Sequence, residues 1–202
     1  DNPKKEKRSR KNNKGKIVNI SVKDYLKKSH TFKHTHKAYK IGTDFDNKSI
    51  IVAPYFLGLW LGDGTSENVS ITTADKEIVQ YLYNYARSLN LEVNVIEQDQ
   101  KANVYSITRK GKWGKRKSLQ EKLRKLGVIN NKHIPFEYKV NSRRKRLQLL
   151  AGLIDSDGCF NQPSAVSFCN KNKTLCKDTM FLARSLGFYA SIGEKIVKGQ
   201  KY

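Results

Sequence analysis

The sequence predicts an α+β protein made of two pseudo-symmetric α-β-β-α-β-β-α repeats with a basic N-terminal arm. Three observations lead there. Two largely apolar helical segments, around 55–61 and 147–153, each run into an Asp-Gly pair at 63–64 and 157–158. The tetrapeptide Ala-Arg-Ser-Leu occurs twice, at 86–89 and 183–186, at a similar distance beyond each pair. Self-similarity at a fixed offset is the mark of an internal repeat. Finally, each pair is followed by the same succession of short alternating runs and one amphipathic helix.

In chain order, residues 1–16 are almost all polar or charged and cannot bury a core. Ile17–Val22 alternates like a short strand, Asp24–Lys28 reads as a helical turn, and 29–49 as a loop. Residues 1–50 thus form the arm. The first repeat is expected over 51–146. Pro54 suits the first position of a helix, where its missing N–H is no loss, and a helix apolar on all sides must be buried on all sides. Strands follow at 69–72, 92–96 and 104–108, with a helix between the first two, capped by Asp75 and carrying Ile78, Leu82, Tyr85, Ala86 and Leu89 on one stripe. Helix 119–126 closes on Gly127, and Lys132-His133-Ile134-Pro135 is an extended connector. The second repeat is expected over 147–202: a helical run, a strand at 165–169, a helix from about Thr174 to Leu186, and a strand at 188–192 matching 92–96. It is expected to be incomplete, in a chain that is a piece of a longer precursor.

The charge identifies the class of partner. There are 40 Lys+Arg against 18 Asp+Glu, a net +22. Residues 1–50 hold 15 basic and 5 acidic groups, 51–100 hold 2 and 7, and 101–150 hold 16 and 2. Two basic blocks around an acidic stretch point to a polyanion met at defined places, and nucleic acid is that polyanion. An anionic membrane surface is the competing reading, but no basic amphipathic helix with an aromatic face supports it. No run approaches the ~20 apolar residues of a membrane span. Cys159, Cys169 and Cys176 are odd in number and lack C-x-x-C spacing, which fits a reducing intracellular setting.

The paired segments carry the chemistry. Gly58 and Gly62 lie four apart on one helix, Gly152 and Ser156 on the other. Each helix therefore has a bare face, and two such faces can pack closely; these four residues are the expected helix interface. Glycine in a helix costs roughly 1 kcal/mol relative to alanine, which close packing would offset. Each helix ends in an acid, Asp63 or Asp157. A carboxylate there faces the negative end of the helix dipole, and side by side the two repel. A divalent cation resolves both, bound by the acids and by orphan carbonyls at Gly62 and Ser156. Oxygen ligands favour Mg²⁺ over Zn²⁺, and such an ion polarises a phosphate and acidifies a bound water. A single Asp-Gly would more simply be a turn; its duplication in a repeat argues otherwise. Asp155 lies on another face, opposite Leu61 in the first copy, and reads as structural.

Leu150–Gly158, LAGLIDSDG, matches the LAGLIDADG signature at eight of nine places. Phe56–Gly64, FLGLWLGDG, is similar to the weaker first copy in intein endonucleases. The chain thus resembles the LAGLIDADG homing endonucleases over about 50–202, and 17–50 resembles the stretch leading into the endonuclease of inteins. The resemblance implies a site-specific endonuclease that cuts both strands of double-stranded DNA, monomeric with an internal pseudo-dimer and covalently part of an intein within a host precursor. It places metals on Asp63 and Asp157, sheets on the DNA, and a lysine in the connector, here Lys132, that activates or orients water; an ordinary phosphate-contacting or solvated lysine is the alternative. The lysine of the second copy would fall beyond Tyr202. Splice-junction residues are not found, so splicing belongs to the parent. The rival activity is a cleavage-deficient DNA- or RNA-binding protein of the same fold, such as a decayed endonuclease or a maturase.

Candidate DNA contacts are Lys101, Arg109, Lys110, Lys112, Lys115, Arg116 and Lys117, around a strand end and loop, and Arg143 and Arg144, ahead of the second signature helix. Arg109 and Lys110 suit base edges; the loop residues suit phosphates. His30, His34 and His36 have no Cys or carboxylate at ligand spacing and read as part of the arm.

Overall fold

A computed structural model describes residues 15, 17–109, 118–161, 165–194, 196–197 and 200–201. The chain divides into two compact units, residues 1–39 and 40–202.

In the first unit, helices α1 (Val22–Leu26) and α2 (His30–Thr35) are each started by a serine. Ser21 Oγ accepts from the Asp24 amide at 3.1 Å, and Ser29 Oγ from the Phe32 amide at 3.3 Å. These caps correct two expectations. Residues 17–21 form no strand, because no partner strand is present among the described residues of this unit, and His30–Thr35 is helical rather than loop. The histidines pack on rings: His30 against His34 at 6.2 Å and His36 flat on Phe32 at 3.8 Å between centroids.

The second unit is built around α3 (Pro54–Asp63) and α7 (Arg143–Asp157). Phe56, Leu57, Leu59, Trp60 and Leu61 have no exposed surface, as a helix apolar all round requires. Beside α3 lies an antiparallel sheet of β1 (Ser70–Thr73), β3 (Asn103–Arg109) and β2 (Leu91–Ile96), in that order. Two strands were expected between the first and second helices of the repeat. The first is reduced to a single bridge from Gly64 to Ile71, because the chain leaves α3 directly in extended conformation at Gly64. Helix α4 (Lys76–Ser88) presents Ile78, Leu82 and Ala86 to the core, with Asp75 Oδ1 accepting from the Glu77 and Ile78 amides. Helix α5 (Leu119–Lys125) has a reciprocal cap between Ser118 and Glu121 and closes on Gly127 at φ 68°.

A short helix, α6 (Phe136–Lys139), follows the connector. Then α7 begins at Arg143, four residues before the apolar run, so the basic tetrad forms its first turn instead of preceding it. A hairpin, β4 (Gly158–Asn161) with β5 (Ala165–Phe168), and helix α8 (Lys173–Ser185) complete this part; β6 (Ile196–Val197) and β7 (Gln200–Lys201) pair near the end. The strand expected at 188–192 is not formed. Gly187, at φ 91°, turns the chain out of α8, and among the described residues no strand pairs with 188–192 as β3 pairs with β2.

Residues 40–50 pack with the second unit. The Thr43 amide donates to Ser185 O at 2.8 Å, and Asn141 Nδ2 to Lys48 O at 3.1 Å. Two tyrosines hold the entry to α3: Tyr138 OH bridges the Val52 amide and carbonyl, and Tyr85 OH accepts from the Ala53 amide.

Candidate active site

The four small residues place the site. A Cβ on Gly58 would lie 2.9 Å from Gly152 Cα and 2.8 Å from the Leu153 amide nitrogen. A Cβ on Gly152 would lie 3.1 Å from Gly58 Cα. Real Cβ atoms do not come so close, so α3 and α7 meet backbone to backbone. One turn on, Gly62 faces Ser156, and its added Cβ would stand 3.6 Å from Asp157 Cβ. Ser156 turns its hydroxyl back to Gly152 O and Leu153 O, at 2.9 and 3.1 Å. Its one hydrogen is thus spent inside the helix, while its oxygen lies against the bare face of Gly62.

Asp63 and Asp157 therefore meet at the helix ends, both half-buried. Burial, then the nearby Asp157 carboxylate, pushes the Asp63 carboxyl up to about 6, against the lowering pull of Lys132. The side chain of Asp157 lies close enough to add a hydrogen-bonding contribution to the same rise. Asn170, just after β5, donates from Nδ2 to Asp157 Oδ2 at 2.7 Å.

Lys132 reaches this point from the connector. Its Nζ donates to Gly62 O at 3.1 Å and Gly64 O at 2.6 Å, and stands 5.3 Å from the Trp60 ring centroid. It thus satisfies carbonyls at the C-terminus of α3 that the helix leaves open. Burial outweighs the attraction of Asp157 and Asp63 and brings the amine down to about 8. One carboxyl and one amine that change charge near neutrality lie within a single cluster, an arrangement suited to proton transfer at neutral pH.

The other expected site residues are spread more widely. Lys101 is exposed at the turn between β2 and β3. Arg109, at the end of β3, is ion-paired with Glu121 of α5 at 3.1 Å. Lys110, Lys112, Lys115, Arg116 and Lys117 lie outside the described residues. Arg143 is exposed but donates to Leu186 O at 3.0 Å, while Arg144 is exposed on the first turn of α7. Asp155 is exposed and accepts from Tyr55 OH at 2.7 Å, in keeping with a structural part. Among the described residues no three His, Cys, Asp or Glu side chains gather as a metal cluster, so any ion here would rest on two carboxylates, main-chain oxygen and water. No helix among them is long and apolar enough to cross a membrane.

The sequence reading missed Asn170, Asn172 and Asp178, which hold Asp157 or the connector. It also missed that Arg146 is buried. The signal for Arg146 was present: it lies three and seven residues before Leu149 and Leu153, on the buried face of α7.

Comparison with known proteins agrees with this arrangement. Replicative DNA helicase DnaB of Mycobacterium intracellulare is 37% identical over 157 residues, covering 78% of this chain and 23% of the helicase. The chain thus spans under a quarter of that relative's length. The homing endonuclease model matches residues 47–128 and 133–201, which takes in the sheet and the helices α3 and α7 that bring Asp63 and Asp157 together, and passes over only the connector residues 129–132 between its two stretches. With so much of the chain matched, the protein belongs to the homing endonuclease family.

Proposed function

We propose that this chain is the endonuclease segment of an intein, a LAGLIDADG-type enzyme of two pseudo-symmetric repeats that cuts both strands of a specific DNA site with Mg²⁺. The observation that carries the reading is the meeting of Asp63 and Asp157 at the ends of two helices packed at Gly58 and Gly152. The low coverage of a DnaB-type helicase by a chain of endonuclease family supports an insert within a host protein, and so an intein.

The donor set fits Mg²⁺. Two half-buried carboxylates repel each other, which a cation between them relieves, and the ligands that the two helix ends offer are oxygen. Asp63 and Asp157 would hold the ion, with the Gly62 and Ser156 carbonyls within the same helix ends. Bound there, Mg²⁺ would polarise the scissile phosphate and lower the pKa of a water. Lys132, still charged at physiological pH but with its proton loosened to about 8, orients the attacking water or, once deprotonated, takes up its proton. Asn170 fixes the rotamer of Asp157. Around this centre the outer face of the sheet, with Thr72, Asn94, Ser106 and Thr108, offers hydroxyl and amide groups to base edges. Lys101, Arg109, Arg143, Arg144 and the lysines and arginine of 110–117 supply contacts to phosphate or bases.

The test is cleavage of a plasmid carrying the uninterrupted helicase locus of the parent. A cut that needs Mg²⁺ and is lost in Asp63→Asn and Asp157→Asn, with DNA binding kept, is expected. Undiminished cutting by either variant would refute the assignment. Salt-sensitive binding by the unaltered chain with no cut would favour a binding protein of this fold.

A further inference from the structure

Lys132 lies in a stretch with no regular structure, 129–135, so no helix or ladder fixes its main chain. Two side chains of the α8 segment grip it instead. Asn172, the cap of α8, donates from Nδ2 to Lys132 O at 2.6 Å. Asp178 Oδ2 accepts from the Ile134 amide at 2.9 Å, and its Oδ1 accepts from Lys139 Nζ at 2.7 Å. The carbonyl of residue 132 and the amide of residue 134 are thus both anchored to one helix.

We infer that Asn172 and Asp178 are positioning residues that hold the Lys132 segment against the acid pair. The choice of amide at 172 is informative. Asn172 Oδ1 accepts from the Thr174 and Leu175 amides at 3.0 and 3.1 Å, and so caps α8. Asp75 caps α4 in the same way through Oδ1. Asparagine and aspartate are equivalent as caps; only asparagine also has a donor, and at 172 that donor meets the Lys132 carbonyl. The same turn reaches the acids. Asn170 Oδ1 accepts from the Asn172 amide at 2.9 Å while its Nδ2 holds Asp157. Residues 170–172 therefore set Asp157 and the Lys132 main chain together, 40 positions apart along the chain from Lys132 to Asn172.

The inference rests on the proposed role of Lys132, and its test separates the two. Asn172→Asp keeps the cap and removes the donor; Asn172→Ala removes both. Each full-length variant is measured for melting temperature, for amide hydrogen exchange over 132–134, and for binding and single-turnover cleavage of a DNA duplex carrying the uninterrupted locus. Asn172→Asp is expected to melt above Asn172→Ala and bind DNA like the unaltered protein, yet to exchange faster at 132–134 and cleave on the order of 10–100-fold more slowly, the usual loss when a supporting contact is cut. A purely capping role would leave both quantities unchanged, and that outcome overturns the inference. So would fast exchange with full-rate cleavage in an enzyme that Lys132→Met inactivates. If Lys132→Met cleaves normally, the catalytic reading of Lys132 fails, while faster exchange in Asn172→Asp still upholds the grip on its segment.

Discussion

Gly58 and Gly152 touch through their backbones, each within about 3 Å of where the other's Cβ would stand, at 2.9 and 3.1 Å to the facing Cα. Nothing on either side can yield, since the facing atoms are main chain. In an open helix alanine gains roughly 1 kcal/mol over glycine. Overpacking a filled core costs about 1–3 kcal/mol, and a clash with backbone lies at the upper end. Gly58→Ala and Gly152→Ala are therefore expected to lower the melting temperature by several degrees, at roughly 2–4 °C per kcal/mol for a chain of this size. Gly193→Ala is the control, with nothing within 4 Å of the added methyl, and should leave it unchanged.

The two acids at the end of α7 should respond oppositely to the same change. Asp155 is exposed and serves one hydrogen bond from Tyr55. Asp155→Asn is expected to cost about 1 kcal/mol or less and to leave Mg²⁺-dependent cleavage near that of the unaltered chain. Asp157→Asn is expected to abolish cleavage and retain folding. Cleavage and thermal melting of both variants side by side check this; an inactive Asp155→Asn would move the centre to the wrong acid.

The pH dependence of stability follows from Asp63 and Lys132. The folded protein holds the Asp63 proton up to about 6 instead of 3.8, so the stabilising effect of that proton is present at low pH and lost as pH rises through 6. Lys132 is lowered from 10.5 to about 8, so its contribution is full above 10.5 and lost as pH falls through 8. With metal chelated, both groups disfavour the folded state between about 6 and 8. Melting curves in EDTA should show Asp63→Asn gaining on the unaltered protein at pH 7 and not at pH 4. Adding Mg²⁺ should raise the melting temperature more at pH 7.5 than at pH 5, because binding requires the acids to be deprotonated.

The sequence displayed the helix pair plainly because its devices are local and repeated. Small residues four apart and an acid at a helix end are each unfavourable alone, and their recurrence at matching places in two segments is what marked the pair. Helices α4 and α5 were legible from their stripes and caps. What escaped depends on distant partners. Residues 17–21 and 188–192 alternate like strands but find nothing to pair with among the described residues. Asn172 and Asp178 look like ordinary surface residues of a helix until the connector is laid across them. The basic tetrad 143–146 reads as a surface patch because four charges in a row hide the helical phase that turns one of them inward.

That inward residue gives the last prediction. Arg146 has no exposed surface. Its guanidinium donates to Asn141 O at 2.8 Å, to Ser185 O and Oγ at 2.8 and 2.6 Å, and to Thr43 O at 2.5 Å, with the Phe45 ring 4.8 Å away. It ties the segment entering the unit, the start of α7 and the end of α8. Arg146→Met would strand the Asn141 and Thr43 carbonyls, while Ser185 O keeps the Thr43 amide; each stranded group costs about 1–3 kcal/mol when buried without a partner, so a large fall in melting temperature is expected. Arg146→Lys should recover only part, since an ammonium lacks the planar fork that serves several acceptors at once. Arg144, two residues earlier and exposed, should behave in the reverse way. Arg144→Ala should leave stability within about 0.5 kcal/mol but weaken DNA binding and reduce its salt slope by roughly 0.9, the signature of one lost phosphate contact. Melting curves and salt-dependent binding of the three variants separate the two roles. If Arg146→Met melts normally and loses DNA affinity instead, the buried clasp is not what holds these three segments together.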